Sequence, residues 1–101
     1  MPKEPIFCTL TPGQLHKQRD ALLPALVRRA TSVDPLEDGY RLRFDPSWET
    51  LDAMTKVIDA ERQCCRFLHF ELTIMPDGGP MTLVVTGPAG TREFLDDLFT
   101  L

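Results

Sequence analysis

From Phe67 to Thr86 the chain alternates apolar and polar residues, turns, and alternates again, which leaves few folds open to it. Leu68, Phe70, Leu72 and Ile74 fall on one face of an extended segment, with Phe67, His69, Glu71 and Thr73 on the other. Pro76-Asp77-Gly78-Gly79-Pro80 supplies turn chemistry, and Met81 to Thr86 reads as the return strand of a hairpin. Tyr40-Arg41-Leu42-Arg43-Phe44 alternates in the same way and predicts a further strand buried on one face. Strands polar on their second face need cover on one side only, so the expected fold is α+β, a two-layer sandwich with helices on one face of a small sheet.

The helices follow from capping and periodicity. Thr11-Pro12-Gly13-Gln14 has capping-box spacing with proline at the first helical position, predicting a first helix to about Ala30, with Leu15, Leu22, Leu23, Leu26 and Ala30 on one stripe and Pro24 as a possible kink. Arg19 falls within that stripe. Asp45-Pro46-Ser47 can cap a second helix whose Leu51, Met54, Val57, Ile58, Cys64 and Cys65 share one broad arc, with Glu61 near its centre and Trp48 covering the core edge. Thr91 can cap a third helix carrying Phe94, Leu95, Leu98 and Phe99. Residues 31–39 read as loop. The predicted order is α-β-α-β-β-α, with a right-handed parallel crossover through the second helix and hence a mixed three-stranded sheet.

With 101 residues and 43% hydrophobic content, the chain suits one domain, 1–101, large enough to build a core without disulfides. A net charge of -4 disfavours bulk attraction to nucleic acid or to an anionic membrane. No apolar run approaches the roughly 20 residues needed to span a bilayer, and Met1-Pro2-Lys3-Glu4-Pro5 lacks a signal-peptide pattern. Three cysteines, two of them adjacent, make a poor secreted disulfide framework, so a reducing cytoplasm is the expected compartment.

Glu61-Arg62-Gln63-Cys64-Cys65 is the one stretch that promises chemistry, because it places a carboxylate three and four residues before two thiols, within one helical turn. Neighbouring thiols suit a soft metal ion such as zinc or cuprous copper, or a metalloid, and Cys8 is the candidate third sulfur. A strained, reducible disulfide between Cys64 and Cys65 is the redox variant. The bland reading is that both thiols fill the core, since unpaired cysteine is among the most buried residue types. Glu61 argues against it: a carboxylate amid apolar neighbours must be paired, protonated or coordinating to offset desolvation, and Arg19 is the candidate partner. Strict up-down alternation would put Cys8 at the far end from Cys64.

Other features carry less. His69 is expected on the outer sheet face as a neighbour of Arg41, Arg43 or Glu71, His16 lies at the edge of the first apolar stripe, and no hydrolase triad is legible. Gly87-Pro88-Ala89-Gly90-Thr91-Arg92 reads as an ordinary strand-to-helix turn without the spacing of a phosphate loop. Phe67 and Val84 on the outer face leave room for homodimerisation through the sheet, which defines the competing reading of an interaction module with core cysteines.

Three stretches together resemble a family of small bacterial proteins of about this length. They are Cys8-Thr9-Leu10-Thr11 before a helix containing Arg19, the segment Glu61-Arg62-Gln63-Cys64-Cys65-Arg66-Phe67-Leu68 with Phe70 and Leu72, and Leu83 to Gly90. Arg66 stands where many such proteins place proline after the cysteine pair. The resemblance implies a bacterial cytosolic protein and brings with it no substrate, cofactor or reaction.

Overall fold

The structure, a computed structural model, describes the chain from Leu23 to Phe99 apart from the side chains of Leu23, Pro24, Cys64, Leu98 and Phe99. Among the described residues seven elements follow one another: α1 (Leu23–Arg29), β1 (Ser32–Leu36), β2 (Gly39–Phe44), α2 (Trp48–Cys64), β3 (His69–Ile74), β4 (Met81–Thr86) and α3 (Thr91–Phe99). The α+β class is as expected. The sheet differs: it has four strands in the order β1-β2-β4-β3, and every neighbouring pair is antiparallel.

Two corrections follow. Residues 32–36, expected to be loop, form β1, which pairs with β2 across a two-residue turn at Glu37-Asp38. Pro35 is tolerated because β1 is an edge strand, where a missing donor can face away from the ladder. The parallel crossover is also corrected, because β2 and β3 both pair with β4 and do not touch one another. The reason lies in composition: β4 offers Met81, Leu83 and Val85 to one face and Val84 to the other, so it is the strand best suited to the middle.

The helices lie on one face. Tyr40, Leu42 and Phe44 of β2 and Met81, Leu83 and Val85 of β4 meet Leu26 of α1, Met54 and Val57 of α2 and Leu95 of α3 in a single buried cluster. The opposite face carries Arg41, Arg43, Glu71, Thr73 and Thr82, all exposed except the half-buried Thr82. Gly39 is placed by close approach of its neighbour strand: a Cβ there would lie 1.8 Å from the carbonyl oxygen of Val85.

Capping chemistry sets α2. Ser47 is its N-cap, with extended backbone, and its Oγ accepts the Thr50 amide at 3.0 Å. Thr50, Met54, Val57 and Glu61 are all buried, the i, i+4, i+7 and i+11 positions of one helical stripe. Among the described residues no helix is long and apolar enough to cross a membrane.

Candidate functional site

Among the described residues, Glu61 in the last turn of α2 is the one buried carboxylate. Glu61 is 2% exposed and Cys65 is fully buried, although both sit at the end of a helix. Cys65 is the C-cap, with φ −116° and ψ 78°, and its amide donates to the Glu61 carbonyl at 2.6 Å. That bond keeps Cys65 one turn above Glu61, on the same face of the helix. Its Sγ donates to Glu61 Oε1 at 3.6 Å, within the range for a sulfur donor. Sequence periodicity thus places the carboxylate correctly inside, and the structure joins it to one of the two thiols.

Of the other residues expected here, Cys64 ends α2 as the immediate neighbour of Cys65, and its side chain is outside the described part of the structure. Cys8 and Arg19, as well as His16, lie outside the described residues. Among the described residues no group of three or more His, Cys, Asp or Glu side chains is arranged to hold a metal ion. With three cysteines in the chain, a three-thiol site needs Cys8, Cys64 and Cys65 together.

The chain beyond the cysteine pair departs from expectation. Phe67 does not lie on the outer sheet face: β3 begins at His69, two residues later, and the turn between them redirects the ring inward. Phe67 is 7% exposed and packs edge-on against Phe94 of α3, with ring centroids 5.1 Å apart at 75°. It anchors the segment after the thiols onto α3. Arg66, in the position where the resembling proteins often have proline, is exposed.

Elsewhere, His69 Nε2 and Glu71 Oε1 are 3.1 Å apart on the exposed face of β3, neighbours along one strand, while the register sets His69 opposite Thr86. Thr91 Oγ1 donates to the Pro88 carbonyl at 2.6 Å, so the turn before α3 is closed upon itself, as an ordinary strand-to-helix connection would be. Trp48 does not cover the core edge; it is 71% exposed and lines an open cleft of about 360 Å³ with Ala25, Arg29, Asp52 and Lys56. That cleft lies at the opposite end of α2 from Glu61. Tyr40, which periodicity marks only as core, adds a polar anchor by donating its hydroxyl to Asp96 Oδ1 of α3.

No family model matches the chain, and comparisons with curated proteins and with solved structures likewise find no match.

Proposed function

We propose that the end of α2 is a thiol site for a soft metal ion or metalloid, with Cys65 and Cys64 as sulfur donors and Glu61 as the group that manages the proton. Cys8 is the candidate third donor and Arg19 the candidate counter-charge for Glu61. One observation carries this reading: a buried thiol donates to a buried carboxylate, Cys65 Sγ to Glu61 Oε1 at 3.6 Å. A cysteine serving as core filler needs no carboxylate beside it, and burying one is costly.

The chemistry follows from the donor set. Thiolate binds a soft ion, so the thiol must lose its proton when the ion arrives. A carboxylate oxygen in hydrogen-bond contact with that thiol can take the proton, which keeps the buried charge balanced. Until then the thiol hydrogen rests on the carboxylate oxygen. A fully buried thiol is shielded from a disulfide partner, so capture of a small ion fits better than thiol–disulfide exchange. The resemblance of the stretch from Glu61 to Phe70 to small bacterial proteins supports a reducing cytosol as the compartment of this activity, where such thiols persist.

The deciding experiment is elemental analysis of protein purified without affinity nickel, combined with zinc, cuprous ion or arsenite titration followed by thiol counting and thermal melting. Stoichiometric uptake of one of the three additives with a raised melting temperature is expected, and Cys65→Ala should abolish both. Thiols that titrate identically with and without all three additives, at unchanged melting temperature, would overturn the proposal.

A further inference from the structure

We infer that β3 is an interface for a second copy of this chain, which joins the sheet edge to edge about a two-fold axis at Leu72. The sheet has two edges of unequal character. β1 carries Pro35, a device that blunts an edge against further pairing. β3 has neither proline nor lysine, and among the described residues no strand pairs its outer side. Its helix-side residues are also under-covered: Leu72 is 36% and Ile74 56% exposed, although their β4 partners Leu83 and Met81 are 1% and 3% exposed. Among the described residues the helices roof the middle of the sheet, where the buried core lies.

Charge and pleat select both the occupant and the register. In an antiparallel self-pairing, residues facing one side must meet residues facing the same side. With Leu72 on the axis, Phe70 meets Ile74 of the second copy, Leu72 meets Leu72, and every apolar residue of the strand finds an apolar partner. On the other face Glu71 meets Thr73, and its charge stays with His69 of its own strand, 3.1 Å away. Moving the axis to Glu71 would set two carboxylates directly opposite, which is destabilising. Moving it to Phe70 would run the pairing into the turn before His69, and moving it to Thr73 would set Phe70 against Pro76. One register therefore uses the whole strand without opposing like charges.

Sedimentation velocity of the full chain over a concentration series tests this, with Leu72→Lys, Thr73→Glu and Thr73→Lys. The wild-type chain should be a reversible dimer, and Leu72→Lys a monomer. Thr73→Glu sets a carboxylate opposite Glu71 at both symmetric positions and should weaken dimerisation by about fivefold. Thr73→Lys should strengthen it by a similar factor. Thr73 is exposed, so its variants keep the test sharp even where Leu72→Lys disturbs folding. A wild-type monomer at every concentration overturns the inference, whether another protein or another segment of this chain covers the strand. So does a dimer indifferent to both Thr73 variants.

Discussion

The Cys65 thiol and the Glu61 carboxylate meet one helical turn apart, Sγ to Oε1 at 3.6 Å, with both groups withdrawn from solvent. A side chain in that position is shielded from reagents as well as from water. In the ligand-free protein, Cys65 should resist a thiol reagent under native conditions and react at once on denaturation, as peptide mass spectrometry of the labelled protein would read out. Glu61→Ala should cost about 2–4 kcal/mol in chemical denaturation, because it opens space and strands the groups that now bond to the carboxylate. A loss under 0.5 kcal/mol would mean that the carboxylate is dispensable to the fold.

Tyr40 ties the sheet to α3 through Asp96, and that contact has a pH signature. The hydrogen bond to Asp96, followed by burial, raises the Tyr40 hydroxyl above its ordinary value of 10.0. A raised folded-state value means that the contribution is complete below pH 10 and is lost as the pH climbs through the folded value. Tyr40→Phe should therefore lower stability by about 1 kcal/mol at neutral pH and flatten the decline of melting temperature above pH 10. An unchanged alkaline limb in the variant would show that another group dominates there.

Ser47 holds the first turn of α2, its Oγ meeting both the Thr50 amide and the Thr50 hydroxyl, at 3.0 and 2.9 Å. Ser47→Ala should cost about 1 kcal/mol in urea unfolding, whereas Ser47→Asp should retain most of that stability.

Gly39→Ala tests the β2–β4 seam. The added methyl carbon would lie 1.8 Å from the Val85 carbonyl oxygen, a backbone atom that cannot swing aside. The variant should lose more than about 3 kcal/mol, or fail to accumulate as folded protein, which circular dichroism and solubility would report. Gly78→Ala provides the contrast, since nothing lies within 4 Å of the added carbon and the only cost is its φ of +71°.

These residues also show where sequence reasoning reaches and where it stops. The arc through Met54, Val57 and Glu61 was legible because a 17-residue helix averages out local noise, so even a buried glutamate could be read from its phase. β1 was not, because Asp34-Pro35 carries the usual marks of a loop and only pairing to β2 overrides them. Asp38-Gly39 was the signal available for that hairpin. Phe67 was misplaced by carrying the alternation of β3 two residues back, into a turn where period two has no meaning. Strand order was hidden for a different reason: sequence shows that a helix separates β2 from β3, but not that β4 returns to lie between them. The alignment of Glu61 with Cys65 could be read from spacing, while the end of the helix at Cys65, with its non-helical dihedrals, could not.

The central place of β4 has a kinetic meaning. Residues 32–44 and 69–86 each make a hairpin from near neighbours in the chain, so each can zip early at small entropic cost. Their only seam joins β2 to β4, which Phe44 and Met81 begin from opposite sides of an intervening helix. That seam is the long-range pairing of the sheet, so its loop-closure cost weighs most on the folding rate, and through it the apolar faces of the two hairpins become one core.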